Sequence, residues 1–221
     1  MHPTSGHLLL ALGANVRGCI GNPCATLQWA LAELSQPDLI VLRVSSVWSC
    51  APFGRVRQPR FVNAVILART ACSPQALLHL VKTLETRAGR RRGKAWGPRA
   101  LDIDILDLDG LPRRPAGMGR HARGTTAHAW QRKGLVLPHP GVHERPFVLL
   151  PLAEIWPDWR HPLLGRTACQ LLHTLPPRLR RSCHRLAANL LPPSLPSSPL
   201  HLPATSHGAG CAHAIRIRDM A

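Results

Sequence analysis

Two helix-start signals of the same kind occur in the first hundred residues, and short apolar runs lie on either side of each predicted helix. Asn22-Pro23 and Ser73-Pro74 each place a capping side chain directly before a proline, which favours the first turn of a helix. The runs around them have the composition of strands, at residues 7–12, 39–48, 61–69 and 99–106. The order β-α-β-β-α-β is that of the split βαβ motif. We therefore predict an α/β (α+β) domain with a ferredoxin-like core and a mixed, mostly antiparallel sheet.

The composition changes beyond this core. Residues 111–134 are rich in bases and turn formers and have no apolar period, so we predict a flexible basic insertion there. A helix is predicted around residues 147–155. From residue 174 onward, prolines and scattered serines predict a disordered tail. The predicted organisation is a domain over 1–173 and a tail over 174–221.

Charge and cysteine content narrow the class of protein. The 28 Lys and Arg outnumber the 11 Asp and Glu, which gives a formal net charge of +17 and favours anionic partners. No apolar run approaches the roughly 20 residues of a membrane-spanning helix. The apolar run near the start is too short for a signal peptide and lacks a basic flank. Seven cysteines without a C-x-x-C pair predict free thiols and a cytoplasmic location.

Four of the 11 acids are concentrated between Asp102 and Asp109. In a strand over 99–106, Asp102 and Asp104 leave the same face about 7 Å apart, while the apolar residues between them face the core. Carboxylate oxygens suit Mg²⁺, and a pair of carboxylates can bridge two ions. A solvated strand face, or salt bridges to nearby arginines, would explain the same pattern.

A basic, glycine-rich loop at 87–98 lies directly before these carboxylates. Such a loop beside a carboxylate pair is typical of enzymes that bind polyphosphates, although it could equally be a solvated surface or contact RNA phosphates. Glu85, one turn earlier, could reach a nucleotide or pair with an arginine.

Phe61 and Asn63 share one face of another predicted strand. An aromatic ring beside an amide suits a flat heterocycle, because the amide offers both a donor and an acceptor. Core packing for Phe61 and a turn contact for Asn63 are the alternatives.

Together these segments resemble the 6-hydroxymethyl-7,8-dihydropterin pyrophosphokinases of folate biosynthesis. The stretch 96–106 (WGPRALDIDIL) is similar to the signature of that family. Five further blocks follow the family's order, namely LGAN at 12–15, SS at 45–46, QPRFVN at 58–63, LPHP at 137–140 and ERPF at 144–147. The resemblance covers residues 7–173, apart from the insertion.

This resemblance implies a usually monomeric enzyme that transfers pyrophosphate from ATP to the pterin hydroxymethyl group and releases AMP. It implies two Mg²⁺ ions on Asp102 and Asp104, which would be catalytic together with Arg90 and Arg99. The implied substrate-binding residues are Phe53, Phe61, Asn63, Trp96 and Phe147. The implied nucleotide-binding residues are Glu85, Arg92, Ile105, His139 and Arg145.

The chain also departs from the family pattern. Phe61 replaces a common Tyr, Cys50-Ala51 replaces a typical Thr-Pro, and Ala95, Ala100 and Val136 stand where basic or hydroxyl residues are frequent. These differences bear on ATP affinity and on loop closure.

Two other functions fit parts of the sequence. A basic ferredoxin-like module could bind nucleic acid, but the aromatic-rich motif of RNA-recognition strands is absent and the chain has three Phe and no Tyr. An inactive homologue is the second alternative, and the intact carboxylate pair argues against it. Weak polyanion binding by the basic segments is a separate hypothesis.

Overall fold

The computed structural model describes residues 6–52, 57–90, 97–113 and 135–190. The predicted βαββαβ core is confirmed, with one predicted strand divided into two. Its elements are β1 (Gly6–Ala14), α1 (Pro23–Leu34), β2 (Leu39–Val44), β3 (Trp48–Cys50), β4 (Phe61–Thr70), α2 (Pro74–Arg87) and β5 (Asp102–Leu108). A 3₁₀ turn follows at Val142–Glu144, and then α3 (Pro146–Ile155), α4 (Ala168–Thr174), α5 (Pro177–Arg180) and β6 (Cys183–Arg185).

Both predicted helix starts form as the sequence indicates. The side chain of Asn22 accepts a hydrogen bond from the Ala25 amide at 2.9 Å, and Ser73 accepts one from the Ala76 amide at 3.2 Å. In each case the proline that follows the cap occupies the first turn, where its missing N–H costs nothing.

The described strands form one six-stranded sheet in the order β5-β1-β4-β3-β6, and β2 pairs with β4 on the same side as β3. The ladders between these strands are all antiparallel. Since β4 lies between β1 and the β2–β3 segment, the topology is the split βαβ arrangement of the ferredoxin-like fold.

The strand predicted over 39–48 is interrupted near Ser45. Val44 pairs with Ile66 and Trp48 pairs with Asn63. The chain therefore advances four residues from Val44 to Trp48 while β4 advances three residues between their partners. The Ser45 hydroxyl accepts a hydrogen bond from the Val65 amide at 2.9 Å, which satisfies the backbone where the ladder slips. An extra residue of this kind is a β-bulge, and sequence periodicity does not reveal it.

Helices cover both faces of the sheet. Leu8, Leu10 and Leu12 of β1 pack into a core with α1 and α2, whereas Leu9 and Ala11 pack into a second core with α3 and α4. A strand buried on both sides needs apolar residues at every position, which explains the unbroken run of apolar side chains in β1.

The prediction of a disordered tail from residue 174 is wrong for residues 174–190, since Thr174 is the last residue of α4. In this segment α5 leads into β6, which pairs with β3, and Leu190 is buried against the core formed by α1 and α2. The physical reason is that β3 would otherwise expose an unpaired edge, which β6 covers. A three-residue strand is too short to show a period of two. Residues 191–221 lie outside the described residues.

The predicted insertion begins and ends at one point of the fold. Arg113 and Leu137 exchange two backbone hydrogen bonds of 2.9 Å, and this bridge brings together the two ends of the segment between them. Residues 114–134 themselves lie outside the described residues.

In the part of the chain that the structure describes, no helix combines the length and the apolar character needed to cross a bilayer.

Candidate active site

One row of cross-strand neighbours joins the predicted heterocycle residues to the predicted carboxylates. Asn63 on β4 pairs with Gly13 on β1, and Gly13 pairs with Asp102 on β5. Because adjacent strands lie about 4.8 Å apart, the backbones of Asn63 and Asp102 are about 10 Å apart. A Cβ atom at position 13 would lie 3.1 Å from the Asn63 side-chain oxygen and 3.9 Å from the Phe61 ring. Glycine therefore leaves open the space between the amide and the carboxylate.

The predicted alternation of β5 is confirmed. Ile103 and Ile105 are buried in the core formed with α1 and α2. The side chains of Asp102 and Asp104 leave the opposite face and keep 24% and 12% of their surface exposed. The two carboxylates thus lie side by side at the edge of the second core.

The acidic cluster separates into two kinds of residue. Asp107 is buried and accepts a hydrogen bond from the Trp159 indole at 2.9 Å, and Asp109 accepts one from the His7 amide at 2.7 Å. These two carboxylates hold elements of the fold together. Only Asp102 and Asp104 stand beside the predicted phosphate-binding residues.

Two arginines share one oxygen of Asp102. The Arg90 guanidinium lies 3.0 Å from Oδ1, and the Arg99 guanidinium donates a hydrogen bond to the same atom. Burial alone would lower the pKa of Arg99, but the carboxylates of Asp102, Asp104 and Glu85 together outweigh burial and raise it. Arg99 is therefore held as a cation at the carboxylate.

Asp104 has a separate pair of partners. Arg145 donates a hydrogen bond to its Oδ2 at 2.9 Å, and His139 Nε2 lies 3.8 Å from the same oxygen. Burial disfavours the carboxylate, but its interactions with His139, Arg145 and Arg99 together outweigh burial and hold the pKa of Asp104 below its usual range. Burial also lowers the pKa of His139, against the opposing effect of Asp104.

The backbone determines the tautomer of His139. Its Nδ1 accepts a hydrogen bond from the Gly141 amide at 3.1 Å, so the neutral ring carries its proton on Nε2, the nitrogen nearer to Asp104.

Glu85 is buried at the end of α2, next to Arg90. Its carboxylate contacts Arg90, accepts a hydrogen bond from the Ile103 amide at 2.9 Å and pairs with Lys82 at 2.9 Å. Burial and the nearby charge of Asp102 raise the pKa of this carboxyl. With 2% of its side chain exposed, Glu85 presents almost no surface to a ligand and is placed to orient Arg90.

The remaining predicted residues differ in their placement. Phe61 and Phe147 are half-buried, and the Arg145 guanidinium lies 5.6 Å from the centre of the Phe147 ring. The Ile105 side chain belongs to the core formed with α1 and α2 rather than to the carboxylate face. Phe53, Arg92 and Trp96 lie outside the described residues.

Asn15 is a site residue whose role sequence reasoning missed. Its side-chain oxygen accepts a hydrogen bond from the Arg99 amide at 2.7 Å, and its nitrogen donates to the Gln58 side chain at 3.0 Å and to the Pro59 carbonyl at 3.1 Å. Asn15 thereby ties the segment before Phe61 to the segment before Asp102. Its position in the LGAN block was the available signal, but neither charge nor periodicity marked it.

The carboxylate pair fits a divalent metal ion whose remaining ligands would come from a substrate and water. Contacts from the described residues fall on one oxygen of each group, Oδ1 of Asp102 and Oδ2 of Asp104. No group of three or more His, Cys, Asp or Glu within the described ranges could hold an ion alone. Magnesium typically binds to one or two carboxylates and completes its shell with water and phosphate oxygens.

A carboxylate pair bracketed by arginines, two strands from an aromatic–amide pair, is the arrangement expected of an enzyme that handles phosphate beside a flat heterocycle. A family model described as 7,8-dihydro-6-hydroxymethylpterin-pyrophosphokinase matches residues 9–157. The chain therefore belongs to the 7,8-dihydro-6-hydroxymethylpterin-pyrophosphokinase family. Membership of this pyrophosphokinase family does not favour the alternative hypothesis that the chain is a nucleic-acid-binding module.

Curated relatives agree with this assignment. The chain is 35% identical over 165 residues to the 2-amino-4-hydroxy-6-hydroxymethyldihydropteridine pyrophosphokinase of Synechocystis, covering 74% of this chain and 73% of the relative. It is 35% identical over 172 residues to the Pseudomonas aeruginosa protein of the same name, covering 76% of this chain and 90% of the relative.

Solved structures show the same fold. A Plasmodium falciparum HPPK-DHPS triple mutant aligns over 77% of this chain with a TM-score of 0.57 and 16% identity. The match covers 42% of that chain, so the protein corresponds to less than half of the larger structure.

Proposed function

We propose that this chain transfers the pyrophosphoryl group of ATP to 6-hydroxymethyl-7,8-dihydropterin, in a Mg²⁺-dependent reaction that yields the pterin diphosphate and AMP. The observation that carries the proposal is the row Asn63–Gly13–Asp102, which sets a heterocycle-binding amide and a carboxylate about two strand spacings apart. Family membership supports the proposed reaction.

In this proposal the pterin occupies the aromatic–amide end of the row. Asn63 is buried, so its amide can pair with ring donors and acceptors away from water. Phe61 and Phe147 would stack on the ring, with Phe53 and Trp96 as further substrate-binding residues. The open space at Gly13 would let the hydroxymethyl group point toward the carboxylates.

The polyphosphate would occupy the arginine end. Arg90 and Arg99 converge on Asp102, and Arg145 lies on Asp104, so three cations already surround the place where phosphate charge would build up. The proposed nucleotide site is completed by four further residues, namely Glu85, Arg92, Ile105 and His139. Glu85 acts by positioning Arg90, and Ile105 packs into the core behind the strand. Fixed cations of this kind stabilise a transferring group without reorganising.

Two Mg²⁺ ions held by Asp102 and Asp104 would neutralise phosphate oxygens and polarise the bond that breaks. The arginines that pair with these carboxylates would then be released to contact phosphate. We further propose that the enzyme acts as a cytoplasmic monomer.

The test is AMP formation from ATP and Mg²⁺, measured with and without 6-hydroxymethyl-7,8-dihydropterin. We expect pterin-dependent AMP from the wild-type chain. Asp102→Asn and Asp104→Asn should each reduce the rate by at least about 100-fold, because transition-state charge loses its stabilisation. Asp38→Asn, which removes one exposed carboxylate elsewhere, is the matched control.

Two results would contradict this proposal at different levels. Wild-type rates in both site variants would show that the carboxylates do not serve the reaction. No pterin-dependent AMP from folded wild-type protein would reject the reaction itself.

A further inference from the structure

Two cysteines face each other where residues 175–190, here called the C-terminal segment, join the sheet. Cys50 on β3 is in register with Cys183 on β6, and both are free and buried, with 1% and 8% of their surface exposed. Cys183 lies beyond residues 9–157, so the pair lies partly outside the segment that the family model matches.

The hydrogen bonds of this ladder identify the type of pair. The Ala51 amide bonds to the Ser182 carbonyl at 3.0 Å, and the Leu186 amide bonds to the Val47 carbonyl at 2.8 Å. Hydrogen-bonded and non-hydrogen-bonded pairs alternate along an antiparallel ladder, so Cys50 and Cys183 occupy a non-hydrogen-bonded pair.

That position suits a disulfide. Cα atoms in such pairs lie about 4.5 Å apart, within the range of roughly 4.4–6.8 Å found across disulfides. Both side chains also point to the same face, into the core formed with α3 and α4. The two sulfur atoms can therefore be joined without moving either strand.

The surroundings make the two thiols unequal. A hydrogen bond from Cys50 lowers the pKa of Cys183 against the effect of burial, and the Ser182 hydroxyl and Arg60 act in the same direction. The same contact, together with burial, raises the pKa of Cys50. Arg60 is held in place by hydrogen bonds to the Ser49 and Ser182 carbonyls at 2.9 and 2.7 Å. Cys183 is also the more exposed of the two thiols and has the Ser182 hydroxyl 3.9 Å from its sulfur, so it is the nucleophilic partner and Cys50 the resolving one.

We propose that Cys50 and Cys183 form a reversible disulfide that fastens the C-terminal segment to the sheet. The oxidant is a low-molecular-weight disulfide. The Cys183 thiolate attacks one of its sulfur atoms, which forms a mixed disulfide and releases one thiolate that takes up the Cys50 proton. The Cys50 thiolate then attacks the Cys183 sulfur and expels the second small thiolate, which is protonated by solvent. Two protein thiols are oxidised and one small disulfide is reduced to two thiols.

The proposed disulfide lies next to residues that are proposed to bind the pterin. Cys50 pairs across the ladder with Phe61, and the Asn63 side chain contacts the Cys50 thiol. The linked positions also enclose most of the described chain, and disulfides that close long loops restrict the unfolded state most strongly.

The experiment exposes the full-length, folded chain to oxidised glutathione, then blocks remaining thiols, digests with trypsin and measures peptide masses. We expect residues 44–55 linked to residues 182–185, with the loss of two hydrogens and full reversal by dithiothreitol. The oxidised protein should also melt several degrees higher than the reduced protein. Cys50→Ser and Cys183→Ser should abolish the link, and Cys72→Ser should keep it. Cys183→Ala serves as a second variant if Cys183→Ser does not fold.

Other outcomes would overturn the inference. Recovery of both cysteines in the blocked form, recovery of each as a separate glutathione adduct, or links to other cysteines would each show that the facing pair does not react as a unit. Equal yield of the link from protein oxidised in denaturant would show that the fold does not direct it. These readouts are masses and melting temperatures, so they do not depend on the proposed pyrophosphoryl transfer.

Discussion

At the scale of single residues, Asn63 illustrates how the site prepares for a ligand. The residue is 5% exposed, and its side-chain nitrogen donates a long hydrogen bond of 3.4 Å to the Phe61 carbonyl. A buried amide with weakly used donors can exchange that bond for better ones when a heterocycle arrives. The neighbouring Gly13 leaves room for the exchange.

Asn63→Ala should therefore weaken pterin binding by about 1–3 kcal/mol, or roughly 5- to 150-fold in Kd, because ring donors and acceptors would be buried without partners. Isothermal titration with the pterin measures this change. Gln36→Ala, which removes an exposed amide, is the control and should leave the affinity unchanged. An unchanged affinity in Asn63→Ala would remove Asn63 from the pocket.

At the scale of elements, the end of α2 and the start of β5 are joined through one carboxylate. Glu85 on α2 holds the Ile103 amide of β5 and contacts Arg90, which follows the helix. The helix therefore positions an arginine that the strand's Asp102 also binds. This arrangement makes the orientation of Arg90 a property of helix–strand packing.

Glu85→Gln keeps the side-chain shape but removes the charge that orients Arg90. Loss of a charge-assisted hydrogen bond of about 1.5–3 kcal/mol should raise the KM for ATP by roughly 10-fold or more, with pterin affinity unchanged. Steady-state kinetics combined with pterin titration separates the two effects. Glu33→Gln breaks the more exposed pair with Arg87 and is the matched control, since surface pairs contribute little. Parallel losses of ATP and pterin binding would instead indicate general damage to the fold.

At the scale of the whole molecule, the second core carries a titratable group that couples folding to pH. His161 lies between α3 and α4, is 4% exposed, and accepts hydrogen bonds on Nδ1 from the Leu163 and Leu164 amides at 3.2 and 3.3 Å. Burial and the nearby His143 lower its pKa from 6.5 to about 4. Protonation would require Nδ1 to give up both bonds.

Between pH 6.5 and pH 4 the unfolded chain binds more protons at His161 than the folded chain, so the free energy of unfolding falls as the pH falls. In His161→Asn, whose side-chain oxygen can still accept from the loop amides, the loss between pH 7 and pH 5 should be roughly 2 kcal/mol smaller than in the wild type. Urea denaturation at the two pH values measures it. His79→Asn, an exposed histidine on α2, should keep the wild-type slope. Identical slopes in wild type and His161→Asn would contradict the assignment.

The site shows where sequence reasoning succeeded and where it stopped. The alternation around Asp102 and Asp104 correctly predicted which face carries the carboxylates, because the side-chain period of a strand is local. The partners of those carboxylates were left open between metal and arginines, and the folded chain pairs them with Arg90, Arg99 and Arg145. For Glu85 the sequence left open a nucleotide contact or a pair with an arginine, and in the folded chain the side chain is buried against Arg90.

By itself, the sequence determined the features that depend on neighbours along the chain. Caps, prolines and side-chain periods act within a few residues, and they were enough for the βαββαβ order and the carboxylate pair. Tertiary structure alone decided the long-range pairings. Arg145 reaches Asp104 across 41 residues, Asn15 reaches Arg99 across 84, and β6 covers the edge of β3 far along the chain. The reason is that such contacts depend on which surfaces the packed sheet brings together, and no local pattern encodes that choice.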